Sequence, residues 1–248
     1  MAKKIWVLTI FPEFFKYLTD VGVIGRKFKS GEWEIKLVQL RDFATTKYKS
    51  VDDAPFGGGP GMIMRPDILK NALMEGVVRA GNYGDDYRKK LHVIYTSPRG
   101  SPWNNAKCVE FSEKFFADKE GVDLVFICGR YEGVDERFLN RYVDEEISVG
   151  DYVLSGGEIA VLAILDSALR LSEGVLGNSA SAKQDSFQDL LLEHPQYTKP
   201  QCFDGVEVPP VLLSGHHEQI AKYQKNERER ITKERRPDLF ERYNNKRA

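Results

Sequence analysis

Three glycine-rich turns, each at the end of a short apolar run, gather most of the residues in this chain that can do chemistry. Ile94-Tyr95-Thr96-Ser97-Pro98-Arg99-Gly100 closes the first and Ile127-Cys128-Gly129-Arg130-Tyr131-Glu132-Gly133 the second. Ser148-Val149-Gly150-Asp151-Tyr152-Val153-Leu154-Ser155-Gly156-Gly157-Glu158 closes the third. The runs Leu91–Tyr95, Val122–Cys128 and Val143–Ser148 read as buried strands, with helical patterns between them. In an open parallel α/β sheet, ligands bind just past the carboxyl ends of the strands. One such turn is explained by the needs of a strand-to-helix connection. Three in this order predict a small-molecule pocket made largely of backbone, because glycine lets the chain approach a ligand closely.

The elements that must position these turns follow from the rest of the chain. Lys4–Phe11 reads as a first strand, and Pro12 opens a helix to about Thr19. Trp33–Leu40 alternates as a second strand. Residues 41–64 form a long irregular segment containing Gly57-Gly58-Gly59-Pro60-Gly61, and loops of that length are usually functional or disordered. Pro66–Ala80 reads as a helix, Gly81–Lys90 as a polar, mobile insert, and Ser101-Pro102 as the start of another helix. Gly157–Ser172 is apolar nearly all round, so it is expected to be buried or at a subunit interface. Residues 173–185, rich in Gly, Ser and Ala, read as a linker. Residues 186–248 read as mostly helical, over Phe187–Leu192, Gly215–Arg230 and Pro237–Tyr243. The Val206–Leu213 run, broken by Pro209-Pro210, is excluded as a central strand. The expected organisation is an α/β domain over 1–172, a linker over 173–185 and a small helical domain over 186–248.

Composition narrows the setting. Acidic and basic residues nearly cancel, 37 against 36, so net charge names no partner. Their distribution is uneven: residues 1–50 hold ten Lys/Arg against five Asp/Glu, and 214–248 hold ten against six. Residues 118–158 hold four against eleven. Basic ends around an acidic middle suit an anionic polymer gripped at the flanks and a cationic ligand held centrally, though scattered solvated charge gives the same counts. Cys108, Cys128 and Cys202 are far apart and the four histidines form no metal spacing, which points to a reducing, cytoplasmic setting. The longest apolar stretch, Ile159–Leu165, is too short to span a bilayer. No GxGxxG, GxxxxGK[ST] or GxSxG motif occurs, so the usual dinucleotide, P-loop and hydrolase readings lack their signatures.

The three turns, taken with the motifs around them, resemble the bacterial tRNA (guanine-N1)-methyltransferases of the trefoil-knotted SPOUT class. The resemblance runs through Thr9–Glu13, Val51–Met62, Ser97–Gly100, Gly129–Gly133 and Gly150–Glu158. It continues through Val175–Asn178, Asp185–Phe187, Glu207–Gly215 and Arg235–Pro237, and so covers nearly the whole chain. The chain departs from the family pattern at Ser179, Tyr223 and Ile231, and in the length of the Gly81–Lys90 insert.

The resemblance implies a deep trefoil knot in the α/β domain with S-adenosylmethionine bound in it. By position, its ligands are Tyr95, Thr96, Ser97, Pro98, Gly129, Glu132, Ser148, Val149, Gly150, Asp151, Tyr152, Val153, Leu154, Gly156 and Gly157. The residue types suit this. Val149, Tyr152, Val153 and Leu154 offer adenine apolar walls and backbone partners, and Glu132 offers a carboxylate to an ammonium or a metal ion. The resemblance further implies Asp185 as the base that deprotonates guanine N1, and Arg170 as the cation that stabilises charge at O6. It implies a homodimer in which Asp185 of one subunit faces the cofactor of the other, dependence on magnesium, and tRNA with G at position 37 as substrate. From spacing alone, Asp185 with Gln188 is a helix-capping box and Arg170 is an ordinary ion-pair partner four residues after Asp166. His216, His217, Lys222, Lys225, Arg228, Arg230, Lys233, Arg235 and Arg236 are expected to meet phosphates, or to form a solvated face with the interleaved acids. Two other readings stay open: a knotted ribose 2′-O-methyltransferase and a non-catalytic RNA-binding protein.

Overall fold

The computed structural model describes residues 2–117, 121–172, 174–175 and 185–247. The chain forms two compact units, Met1–Gly177 and Asn178–Ala248. In the first, β1 (Lys3–Thr9) leads through a 3-10 turn at Pro12–Phe15 into α1 (Lys16–Asp20), α2 (Gly22–Lys29) and β2 (Trp33–Gln39). The irregular stretch that follows pairs the two-residue strands β3 (Asp52–Asp53) and β4 (Ile63–Met64). Then come α3 (Pro66–Asn71), continued by a π-helical segment Ala72–Arg79, β5 (Leu91–Pro102), α4 (Asn105–Phe116) and β6 (Asp123–Ile127). α5 (Glu136–Tyr142), β7 (Glu145–Ser148) and α6 (Gly157–Leu169) complete the unit's described elements.

Five of these strands form one parallel sheet in the order β2-β1-β6-β5-β7. Their apolar runs are continuous because both faces are covered. Successive side chains alternate between two cores. Trp6 and Leu8 of β1, with Val125 and Ile127 of β6, join Ile68, Leu73 and Phe138 on one face. Ile5 and Val7, with Leu124 and Phe126, join Leu18, Ile24, Phe111 and Ile164 on the other. Helices therefore sandwich the sheet, and β6, β5 and β7 lie side by side. Their neighbourhood brings the three glycine turns to one end.

The structure corrects several local expectations. β5 does not stop at Tyr95: it slips register between Thr96 and Ser101, and Ser101 and Pro102 pair with Ile147 and Ser148 of β7. The helix expected from Ser101-Pro102 consequently begins later, capped by Asn104, whose side chain accepts from the Lys107 backbone N–H at 3.1 Å. The Gly81–Lys90 insert is pinned rather than mobile. Tyr83 is buried, and its hydroxyl accepts from Trp6 Nε1 at 2.9 Å and donates to Asp123 Oδ2 at 2.6 Å. α6 is apolar on nearly every side as expected, yet Ile159 is 47% exposed while Glu158 is fully buried. Most of the expected linker lies outside the described residues, but Val175 is packed into the second core.

In the second unit a short hairpin pairs Cys202–Phe203 with Val206–Glu207, and helices cover Pro210–Leu213, His217–Arg235 and Pro237–Arg247. Phe187–Leu192 is a turn, not the expected helix, because Phe187 (φ 79°) and Leu190 (φ 70°) take left-handed backbone that a helix cannot contain. Buried Thr232 anchors that turn to the long helix: its hydroxyl accepts from Leu192 N–H at 2.8 Å and donates to the Arg228 carbonyl at 2.7 Å.

Replacing Tyr83 by Phe removes the group that satisfies both Trp6 Nε1 and Asp123 Oδ2. The expected loss is about 1–3 kcal/mol, the cost of leaving buried polar partners unmatched. Urea unfolding measures it, and an unchanged midpoint would contradict the anchoring role.

Candidate functional site

The three turns converge on a cavity of about 210 Å³ at the carboxyl ends of β5, β6 and β7. Every position expected to bind cofactor lines it except Asp151: Tyr95, Thr96, Ser97 and Pro98 from the first turn, Gly129 and Glu132 from the second, and Ser148, Val149, Gly150, Tyr152, Val153, Leu154, Gly156 and Gly157 from the third. Arg130, Tyr131, Gly133, Ile147, Ser155 and Ala160 also line it and were not anticipated. Most of these six stand between or beside anticipated positions, and Ala160 lies one helical turn beyond the paired glycines, on the same face of α6. Arg130 carried its own signal, a charge inside a glycine turn at the end of a wholly buried strand.

Backbone contacts hold the turns together. Gly157 N–H donates to the Gly129 carbonyl at 2.8 Å, tying the start of α6 to the end of β6. A Cβ on Gly157 would fall 2.5 Å from Thr96 Oγ1 and 2.8 Å from Gly129 N, so all three turns meet where no side chain fits. The second turn is fixed from behind by the long irregular segment. Glu132 N–H donates to the Met62 carbonyl, and Met64 N–H donates to the Gly133 carbonyl, each at 2.9 Å. The long irregular segment thus buttresses the cavity wall.

The electrostatics are graded across the site. Glu158, wholly buried, accepts from the Thr9 hydroxyl at 2.7 Å and pairs with Arg130 Nη2 at 2.8 Å. Burial first, then the Glu146 carboxylate, hold the Tyr95 phenol up to about 12, so it stays neutral at working pH. Burial, and after it the Asp52 carboxylate, push up the Tyr131 phenol. Cys128, buried behind the second turn, has its thiol pushed up by burial and is inert packing. Tyr152 and Val153 are 57% and 85% exposed, so the apolar wall of the third turn also faces outward.

Neither of the two residues expected to do the chemistry is among the residues that line the cavity. Arg170 caps α6, exposed and outside the cavity lining, its charge felt at Cys108 of α4. Asp185 belongs to the second unit, where the residues after it form a turn rather than the helix a capping box requires. Of the basic residues expected at phosphates, Arg228 pairs with Asp189, Arg230 with Glu227 and Glu234, and Arg236 with Asp238. His216, His217, Lys222, Lys225, Lys233 and Arg235 are exposed.

A site assembled from close backbone approach, with apolar walls and a carboxylate, fits a nucleoside with a charged tail such as S-adenosylmethionine. Magnesium finds no such cradle: among the described residues, no group of three or more His, Cys, Asp or Glu side chains comes together that could hold a metal ion. Gly157→Ala should force apart the first and second turns and destabilise the unit by about 1–3 kcal/mol, as overpacking does. Denaturant unfolding reads this, and a neutral result would contradict the three-way contact.

Comparison with known proteins agrees with the geometry. The family model described as tRNA (Guanine-1)-methyltransferase TrmD matches residues 3–242. A tRNA (guanine-N(1)-)-methyltransferase of Bartonella tribocorum is 47% identical over 241 residues, 97% of this chain and 96% of its own length. Proteins of the same name from Bartonella bacilliformis and Shewanella loihica are each 46% identical. The alignments cover 100% and 95% of this chain, and 99% and 89% of those proteins. With a match spanning both units and identity near one half along the whole length, the chain belongs to the tRNA (guanine-1)-methyltransferase family.

Proposed function

We propose that this protein transfers the methyl group of S-adenosylmethionine to N1 of guanosine 37, the nucleotide 3′ of the anticodon, in tRNA. The observation that carries the reading is the convergence of the three turns on one backbone-lined cavity in a chain of this family. S-adenosylmethionine, when bound, supplies an electrophilic methyl on a sulfonium centre. Gly129, Gly156 and Gly157 admit its nucleoside against backbone, Val149 and Leu154 flank the base, and Glu132 faces the cationic tail.

Guanine N1 carries a proton at neutral pH and is a poor nucleophile. Asp185 takes that proton as N1 attacks, and Arg170 stabilises the negative charge that spreads to O6. Asp185 belongs to the second unit and does not line the cavity, and this reading takes the site to be shared between two subunits of a homodimer. The exposed apolar residues Phe11, Phe14, Tyr17, Val21, Tyr152 and Ile159 on the first unit give such a dimer material for an interface. The knot belongs to the same reading.

The second unit grips the tRNA through the exposed basic residues of its long helix, leaving the target base to leave its stack and enter the cavity. The division into functional parts is 1–172 for the cofactor, 173–185 as linker and 186–248 for tRNA. No described helix is long and apolar enough to cross a membrane. A tRNA substrate puts the enzyme in the cytoplasm.

Asp185→Asn should bind S-adenosylmethionine as the parent does, while methyl transfer falls by about 10²–10⁴-fold, the usual worth of a positioned base. Calorimetry and single-turnover kinetics measure the two halves. Transfer within a few-fold of the parent would remove Asp185 from the base role.

A further inference from the structure

Glu158 sits in the first turn of α6 with no solvent exposure, and Arg130 in the second glycine turn is its ion partner at 2.8 Å. A buried ion pair returns little stability over apolar residues of the same volume, since both ions must be stripped of water. Its presence in the wall of the cavity therefore asks for another reason. The contacts of the guanidinium supply one. Nη2 meets Glu158, while Nη1 donates to the Ser155 carbonyl of the third turn at 2.9 Å. The guanidinium carbon lies 4.5 Å from the centre of the Phe11 ring and 5.9 Å from that of Phe14. Nε is buried without a hydrogen-bond partner, pressed against Gly156, where a Cβ would fall 2.2 Å from it. Glu158 in turn holds Thr9 at the end of β1. One planar fork thus ties the second turn to the third, and through Glu158 to β1.

We propose that Arg130 and Glu158 form a positioning couple that sets the gap between the second and third turns, and thereby the affinity of the cavity for its nucleoside ligand. The couple rests on the S-adenosylmethionine reading above. It makes no step of the reaction; it fixes where Gly129 and Gly156–Gly157 stand. Lysine at 130 keeps the charge and cannot reach Glu158 and Ser155 together, because it lacks the fork.

The test measures S-adenosylhomocysteine binding by calorimetry, beside thermal melting, for the full-length protein and three variants. Arg130→Lys and Glu158→Gln should weaken binding by about tenfold or more, as small misplacements of a site do, with the KM for tRNA unchanged. The double variant Arg130→Met, Glu158→Gln removes both charges and keeps an acceptor for Thr9. It should regain much of the melting temperature lost by Glu158→Gln while its binding stays weak. Affinity that falls only in proportion to melting temperature, or binding within twofold of the parent in all three, would overturn the couple and leave the cofactor reading intact. A folded parent that does not bind S-adenosylhomocysteine would overturn the cofactor reading, and the couple with it.

Discussion

A carboxylate with no access to water must find its partners inside the protein, and at Glu158 those partners join three remote stretches of chain. Thr9 ends β1, Arg130 stands just past β6, and Ser155, held by the same arginine, precedes α6. The sheet sets the strands beside each other but does not fix the turns beyond them. Glycine turns can hold one another only through backbone, having no side chains with which to do so. Loss of one partner of such a pair costs about 3–5 kcal/mol, a large share of the roughly 5–15 kcal/mol that stabilises a typical domain. The backbone bond between Gly157 and Gly129 lies within this frame.

The proposed reaction divides binding and chemistry among different residues. The cavity is lined mostly by glycines and small side chains, a lining suited to a nucleoside by shape and hydrogen bonding, with Glu132 as its carboxylate. The residues proposed for the chemistry are not among its lining: Arg170 caps α6 and Asp185 belongs to the second unit. Tyr95 in the cavity wall is held neutral, and Cys128 behind the second turn is buried with its thiol pushed up.

Much of this was legible in the chain because both covered faces of the sheet write themselves as apolar runs of even period. The runs at Leu91, Val122 and Val143 mark where β5, β6 and β7 begin to within about two residues, and the glycine turns mark the ends of β6 and β7. What was not legible depends on partners distant in sequence. β5 runs on to Pro102 only because β7 is there to pair with it. Gly81–Lys90 looks mobile by composition, yet a single Tyr83, 77 residues from Trp6 and 40 from Asp123, decides otherwise. Phe187–Leu192 has helical composition, and two left-handed residues break it, anchored by a threonine on another helix. Arg130 and Glu158 stand in different turns, and neither turn alone shows that the two pair.

The most direct test of the account is transfer of labelled methyl from S-adenosylmethionine to two tRNA transcripts, one with G and one with A at position 37, each with and without magnesium. The account predicts label on the G transcript alone, located at N1 by nucleoside analysis. Label on both transcripts, or on ribose, would contradict the guanine-N1 assignment, and no label from folded protein would point instead to an RNA-binding protein without catalysis.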